Sequence, residues 1–237
     1  MFDNLVTLAL APILFFQGRR VRLSTPRLPE PPGDRAGVQG EGTLLRLLIL
    51  GDSAAAGVGA SHQSEALSGN LIAELSADYR LDWRLIAKTG ATTQSTLKAR
   101  EKLTDETFDI VVLSLGVNDV TGQVALPTWL EQQRSLRSWC FNTLGAKLVI
   151  SSGLPLMGQF PALPQPLRWY LGRRANQFDG ALKRELDKVQ SSEYSSLRFS
   201  STPDLMASDG FHPGPEIYAE WAKRVAQSIR SSFSTAS

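Results

Sequence analysis

The sequence is poor in the two residue types that most often build structural metal sites. Its 237 residues include one cysteine, Cys140, and two histidines, His62 and His212. A single cysteine cannot form a disulfide within the chain, so cysteine usage leaves the redox compartment open. A structural zinc site takes four cysteine or histidine ligands, and the whole chain has only these three residues to offer. We therefore expect no structural zinc site, and we predict neither another metal ion nor a cofactor.

An excess of charge is also absent. Lysine and arginine number 25 against 23 aspartates and glutamates, which gives a formal net charge of +2. No basic run is longer than two residues. A nucleic-acid-binding domain usually carries a strongly basic patch, so the sequence predicts no nucleic-acid partner.

A hydrophobic run long enough to cross a bilayer is missing too, although residues 5–16 are almost wholly apolar. A spanning helix needs about 20 such residues. A secretory signal would carry positive charge ahead of the run, yet Asp3 stands there and the arginines follow, at 19, 20 and 22. Residues 5–22 are therefore open to three interpretations: association with a membrane surface, packing on this or another subunit, or a signal. Because the charges around the run do not fit a secretory signal, we expect a cytoplasmic or peripherally membrane-associated protein and not a secreted one.

The rest of the chain has the length and the 42% hydrophobic content of one globular domain. Residues 24–42 are rich in proline and glycine and predict a linker or extended arm. We therefore divide the chain into an apolar N-terminal segment with its linker, residues 1–42, and a domain spanning residues 43–237.

Within that domain, apolar strands alternate with amphipathic helices, a pattern that predicts a parallel sheet with helices on both faces. The predicted strands cover residues 45–50, 81–87, 109–115, 147–151 and 197–199. The predicted helices cover residues 65–79, 93–102, 127–144, 176–189 and 216–229. A proline-rich insertion at residues 153–171 interrupts the alternation.

The most informative stretch is the first strand and the turn after it. Residues 45–50 form a short apolar run, typical of a strand buried on both faces, and Gly51-Asp52-Ser53 follows at once. Open α/β sheets bind their ligands at the carboxyl ends of their strands. We therefore interpret Ser53 as a candidate nucleophile.

A serine hydroxyl needs a base to accept its proton and a third group to orient that base. His212 is the better candidate base, because Asp209 precedes it by three residues and one turn of chain can bring the two together. His62 has no such neighbour and is interpreted as a loop residue. Asp-x-x-His alone is a weak signal.

Two strand ends offer donors for an oxyanion, the amide of Gly90 and the side chain of Asn118. Each has a plain alternative, since Gly90 could serve a turn and Asn118 could cap a helix or order a loop. The neighbouring acids, Asp52 and Asp119, are interpreted as residues that order their loops.

Four segments, in this order, resemble the blocks of the SGNH (GDSL-type) esterases and lipases over roughly residues 45–230: Gly51-Asp52-Ser53, Gly90, Gly116-Val117-Asn118-Asp119 and Asp209-Gly210-Phe211-His212. The resemblance implies a flavodoxin-like α/β/α sandwich whose five-stranded parallel sheet has the order 2-1-3-4-5. It implies a serine nucleophile with His212 and Asp209, and an oxyanion hole formed by the amides of Ser53 and Gly90 and the side chain of Asn118. Ala54 departs from the leucine that many members have there.

The expected activity is cleavage of a carboxylic ester, on a small molecule or a lipid, through an acyl-enzyme on Ser53. An acyltransferase or thioesterase would use the same serine, and a flavodoxin-like binding module would need no paired Asp209 and His212. The insertion at residues 153–171 follows a strand's carboxyl end, so Phe160 and Trp169 are candidates for the wall of an acyl pocket. The alternative is that they form a packed cluster over the edge of the sheet.

Overall fold

A computed structural model describes residues 2–102, 105–199 and 203–233 of the chain. These residues form one sheet with helices on both of its faces. The strands are β1 Ala36–Gln39, β2 Thr43–Gly51, β3 Tyr79–Ala87, β4 Ile110–Ser114, β5 Leu148–Ser152 and β6 Ser192–Ser195. The helices are α1 Phe2–Ser24, α2 Leu67–Leu75, α3 Thr93–Ala99, α4 Val117–Thr121, α5 Leu126–Asn142, α6 Leu167–Leu186 and α7 Pro215–Phe233.

The strand order across the sheet is β1-β3-β2-β4-β5-β6, and every pair from β3 to β6 is parallel. Numbered without β1, the parallel strands have the order 2-1-3-4-5, so the predicted three-layer α/β/α fold is confirmed. The order reverses between β2 and β4, which are hydrogen-bonded neighbours. Ligands of open α/β sheets bind at such a reversal, outside the carboxyl ends of the strands.

The middle strands are apolar on both sides because both of their faces are covered. Leu47 and Ile49 on β2 pack in the core beneath α2 and α7, whereas Leu48 and Leu50 pack beneath α3 and α5. All four side chains are at most 2% exposed. Burial on both faces is the usual reason for a continuous apolar run in a parallel strand.

The two edges of the sheet differ from the prediction. β1 lies inside residues 24–42, expected as a linker or extended arm, and pairs antiparallel with β3, so the sheet is mixed and has one more strand than predicted. Its sequence, Ala-Gly-Val-Gln, is exposed throughout, and its pairing with β3 defines it as a strand. The last strand is residues 192–195, not 197–199. Its polar sequence, Ser-Glu-Tyr-Ser, gave no apolar signal, and the hydrogen bonds to β5 define it.

Helix α6 begins nine residues before the predicted start at residue 176, so the connection after β5 is shorter than expected and spans residues 153–166. The first helical amide, of Leu167, donates a hydrogen bond to the side chain of Gln17 on α1, 3.1 Å away. The side-chain Nε2 of Gln17 in turn donates to the backbone carbonyl of Gln165 at 2.7 Å. This helix start is therefore stabilised by contacts with a distant segment, α1. Such contacts cannot be predicted from the sequence around residue 167.

Helix α1 packs on α6 through one face, where Leu10, Leu14, Gln17 and Val21 recur at helical spacing. Leu14 is the buried centre of that contact, at 8% exposure. Within the described residues, no helix has both the length and the apolar character needed to cross a bilayer.

Candidate active site

The carboxyl ends of three neighbouring strands bring the predicted site residues to one edge of the sheet. In the register, Gly51 at the end of β2 lies between Ala87 of β3 and Ser114 of β4. The Nδ2 atom of Asn118, after β4, donates to the carbonyl of Ala91, after β3, at 2.9 Å. The loops that carry Ser53, Gly90 and Asn118 therefore meet, as the sequence predicts.

The loop after β2 is a compact turn built around Asp52. One carboxylate oxygen of Asp52 accepts the amide of Ala54 at 3.0 Å, and its carbonyl accepts the amide of Ala56 at 2.9 Å. The carbonyl of Ser53 accepts the amide of Val58 at 3.0 Å. These bonds fix the backbone of Ser53 and leave its half-buried side chain at the end of the strand.

The loop before α7 orders His212 through Asp209. One oxygen of the Asp209 carboxylate accepts the backbone amides of Phe211 and His212, at 2.9 and 3.0 Å. The other oxygen lies 2.6 Å from Nδ1 of the His212 ring. A single carboxylate thus fixes both the turn and the orientation of the imidazole.

The opposite nitrogen of that imidazole, Nε2, lies 2.9 Å from Oγ of Ser53. An ionised carboxylate only accepts hydrogen bonds, so the ring carries its proton on Nδ1 and donates it to Asp209. Nε2 of the neutral ring is then an acceptor, and the Ser53 hydroxyl donates to it. Ser53, His212 and Asp209 thus form a continuous hydrogen-bonded chain, as serine activation requires.

Electrostatics favour the ionised form of Asp209 even though its side chain is only 1% exposed. Burial acts to raise the pKa of this carboxyl, but hydrogen bonds from the ring and the amide of His212 and from the amide of Phe211 outweigh it. The pKa of Asp209 therefore lies below its usual value. The His212 ring, at 16% exposure, stays accessible from the surface.

A close backbone approach brings the His212 loop against the Ser53 loop. Gly59 has a φ of +105°, and a methyl group there would collide with the carbonyl oxygen of Pro213 and lie 2.9 Å from Cβ of Ala207. The Tyr218 hydroxyl, at the start of α7, donates to the carbonyl of Val58 at 2.7 Å. Gly59 thus permits this contact, a role that its place in the sequence does not indicate.

Buried acids order the loops around Ser53 and Asn118. Asp119 is fully buried and accepts hydrogen bonds from the amide and the hydroxyl of Thr93, at 3.1 and 3.0 Å. The Thr93 hydroxyl accepts in turn from the Trp129 ring at 3.1 Å. Burial raises the pKa of Asp119 and raises that of Asp52 to about 7.

An apolar cavity of about 60 Å³ opens beside Ser53 and His212 on the β5 side of the sheet. Phe160, from the insertion, lines this cavity and contacts Phe211 edge-to-face at 5.1 Å. Trp169 does not line the cavity and lies on the outer side of α6, where Arg173 stacks on its ring. The structure therefore places only Phe160 at the expected pocket wall.

Most of the cavity wall comes from residues that sequence reasoning did not single out. Leu154 follows β5, Leu197 and Phe199 follow β6, and Ile217 and Trp221 belong to α7. The predicted strand at residues 197–199 thus supplies cavity wall instead. The apolar character of residues 197–199 is the one sequence signal that could have indicated a role at this edge of the sheet.

Among the described residues, no group of three or more His, Cys, Asp or Glu side chains is placed to hold a metal ion. His62 lies away from the triad and accepts the amide of Ser64 at the start of a short 3-10 turn.

Comparisons with known proteins point to one family. The model of the GDSL-like lipase/acylhydrolase family matches residues 49–220. The fold resembles that of the lipase Lip_vut3 from a goat rumen metagenome, with a TM-score of 0.63 and 17% identity over 77% of this chain and 96% of that chain. It also resembles TesA, with a TM-score of 0.62 and 21% identity over 78% and 98% of the two chains.

A third similar structure is the lipase/acylhydrolase from Enterococcus faecalis, with a TM-score of 0.57 and 19% identity over 79% of this chain and 96% of that chain. At these identities the solved structures support the fold alone. A search of curated proteins found no match.

Proposed function

The chain belongs to the GDSL-like lipase/acylhydrolase family, and we propose that it is a carboxylic ester hydrolase that works through an acyl-enzyme on Ser53. The observation that carries the proposal is the 2.9 Å contact between Oγ of Ser53 and Nε2 of His212, with Asp209 on the opposite ring nitrogen. A hydroxyl aligned with an oriented imidazole is what nucleophilic acyl transfer requires.

In the acylation step, Oγ of Ser53 attacks the carbonyl carbon of the ester as its proton passes to Nε2 of His212. The carbonyl π electrons move to the oxygen and form a tetrahedral oxyanion. When the oxyanion collapses, the bond to the alcohol oxygen breaks and His212 returns the proton to that oxygen. Asp209 stabilises the charged imidazole that forms between these two events.

In the deacylation step, water attacks the acyl-enzyme and gives one proton to His212. The second tetrahedral intermediate collapses with cleavage of the bond to Oγ of Ser53. His212 returns the proton to Oγ, the carboxylic acid leaves, and the enzyme is restored. No oxidant, metal ion or cofactor enters this balance.

We assign the oxyanion to the amides of Ser53 and Gly90 and the side chain of Asn118, which lie on the loops that follow β2, β3 and β4. This assignment is supported by the hydrogen bond from Asn118 to Ala91, which holds the Asn118 side chain beside the loop that carries Gly90. Donors fixed before the charge develops stabilise the transition state without reorganisation.

The acyl group would enter the apolar cavity that Phe160 and Phe211 border. Its volume of about 60 Å³ is small, which favours a short acyl chain in the present conformation. Aromatic and aliphatic walls bury such a chain by the hydrophobic effect.

Transfer to an alcohol acceptor, or attack on a thioester, would use the same nucleophile and base, so these reactions are the alternatives within this site. A binding module without turnover is disfavoured, because ligand binding alone does not call for a carboxylate, an imidazole and a hydroxyl in line.

The test is labelling with a fluorophosphonate, which reacts with activated serines. We expect one label per chain at Ser53 and none in Ser53→Ala, with Ser138→Ala, an exposed serine on α5, as the matched control. Short-chain p-nitrophenyl esters should then be hydrolysed faster than long-chain esters or acyl thioesters. An unlabelled Ser53 in folded protein, or full ester hydrolysis by Ser53→Ala, would refute the proposal.

A further inference from the structure

Helix α1 leaves a wide apolar surface in contact with solvent. Nine large hydrophobic residues are exposed in the described part of the chain, and five of them lie on this one helix. They are Leu8, Ile13, Phe15, Phe16 and Leu23, with exposures from 49% to 76%. Scattered apolar residues are normal on a protein surface, whereas a patch concentrated on one element indicates a binding surface.

The C-terminal part of α1 and the segments beside it also carry an excess of positive charge. Residues 4–29 and 153–178, which include most of α1, the insertion and the start of α6, contain seven arginines and no aspartate or glutamate. Arg19, Arg20 and Arg22 are exposed at the C-terminal end of α1. The acidic residues that flank these segments are Asp3, Glu30 and Asp179, so the segments themselves are basic although the net charge of the protein is only +2.

Open clefts run along both sides of α1. One of about 840 Å³ separates it from α6 and the turn after α4, and one of about 710 Å³ separates it from the insertion. Apolar side chains line much of both clefts, including Leu14 and Phe15 in the first and Ile13 and Phe16 in the second.

This surface borders the candidate active site. Phe211, the neighbour of His212, lines the cleft beside α1 as well as the cavity beside Ser53. The insertion that flanks the second cleft is joined to the His212 loop by a 3.1 Å hydrogen bond from the amide of Ala162 to the carbonyl of Gly210. A partner bound along α1 would therefore lie next to the mouth of the site.

We propose that α1 docks the protein on an anionic lipid bilayer, lying in the plane of the membrane with its exposed face in the lipid. Phe15 and Phe16 would enter the boundary between headgroups and acyl chains, and the three arginines would bind lipid phosphates. An apolar helix face combined with arginines is typical of interfacial helices. Docking would hold the mouth of the Ser53 cavity at the membrane surface, which adds a partner to the proposed ester hydrolysis but does not depend on it.

The test measures sedimentation of the full chain with vesicles of phosphatidylcholine alone and of an equimolar mixture with phosphatidylglycerol. We expect binding to the mixed vesicles that weakens at high salt. Removing all three charges, in Arg19→Ala/Arg20→Ala/Arg22→Ala, should weaken it about a hundredfold. The double variant Phe15→Ser/Phe16→Ser should weaken it about tenfold or more.

The control Arg80→Ala/Lys98→Ala/Lys102→Ala removes the same charge from exposed positions elsewhere and should bind within about threefold of the unchanged protein. Ser53→Ala should bind as the unchanged protein does, so failure of docking is distinguishable from failure of ester hydrolysis. Absence of vesicle binding, or equal binding to neutral vesicles, overturns the proposal. So does a dimer that α1 variants dissociate without any vesicle binding, because α1 would then be a subunit interface.

Discussion

Asn118 is the residue whose proposed role depends most on where its side-chain hydrogens point. Its Nδ2 donates to the carbonyl of Ala91 at 2.9 Å and lies 3.5 Å from a carboxylate oxygen of Asp52. The first contact is a good hydrogen bond, whereas the second is at the limit of one. The weaker contact leaves one N–H of Asn118 available for an oxyanion.

At the scale of this residue, we predict that Asn118→Ala lowers kcat for a short-chain ester by about a hundredfold to a thousandfold, the usual effect of losing one oxyanion donor. KM should change little, because the donor acts chiefly on the transition state. Steady-state kinetics on purified variants measure both constants.

The matched control for this variant is Thr121→Ala on the same short helix, since the Thr121 hydroxyl donates to the backbone carbonyl of Asn118, at 3.3 Å, and not to its side chain. We expect it to retain kcat within about threefold, as one long, half-buried hydrogen bond contributes little. A kcat of Asn118→Ala as high as that of the control would remove Asn118 from the proposed oxyanion hole.

Among the elements, the contact between the Ser53 loop and the His212 loop decides whether the hydroxyl meets its base. That contact depends on Gly59, which has a left-handed φ of +105° and no room for a side chain beside Pro213. The motif Gly57-Val58-Gly59 lies after a strand, as glycine-rich phosphate loops do, yet here its last glycine serves the approach of two loops.

We predict that Gly59→Ala keeps the fold but lowers kcat/KM by about a hundredfold, because a displacement of about 1 Å between reacting groups has an effect of that size. The control is Gly145→Ala, which also has a positive φ, +72°, but open space around it. Circular dichroism checks that both variants keep the fold, and ester kinetics measure their activity. A loss of activity in Gly59→Ala alone is then due to displacement of His212 and not to backbone strain. Equal activity of the two would show that the collision at Gly59 is harmless.

At the scale of the whole molecule, the sequence predicted those parts that burial and local spacing determine. The central strands are apolar because both of their faces are covered. Asp209 and His212 meet because a single turn brings together residues that are three apart in the sequence. The parts that it missed depend on contacts between distant segments. β1 exists through its pairing with β3, and α6 begins where Gln17 of α1 meets it.

The cavity wall shows the same limit. Phe160 follows a strand end and could be proposed from the sequence, whereas Trp221 belongs to the closing helix and reaches the cavity only through the packing of α7 on the sheet. Trp221 occupies a position on α7 that any core residue of an amphipathic helix could occupy. The sequence around it therefore does not distinguish a cavity-wall residue from a core residue.

The stability of the whole fold should depend on pH through Asp52. Burial raises the pKa of this carboxyl to about 7, well above the value of about 3.9 expected in the unfolded chain. A raised pKa in the folded state means that the contribution of Asp52 to stability is fully present below about pH 4 and is lost as the pH rises through about 7. Asparagine has no proton to lose, so Asp52→Asn lacks this dependence.

We therefore predict that, between pH 5 and pH 8, the free energy of unfolding of the unchanged protein falls relative to that of Asp52→Asn by about 2 to 3 kcal/mol. Urea unfolding of both proteins across this range measures it, and the change of the difference with pH is the readout because any constant effect of the new amide cancels. Asp34→Asn, at an exposed position, is the control and should parallel the unchanged protein. If Asp52→Asn also paralleled it, the buried carboxyl would not titrate near neutral pH, and the loop beside Ser53 would have to hold it ionised.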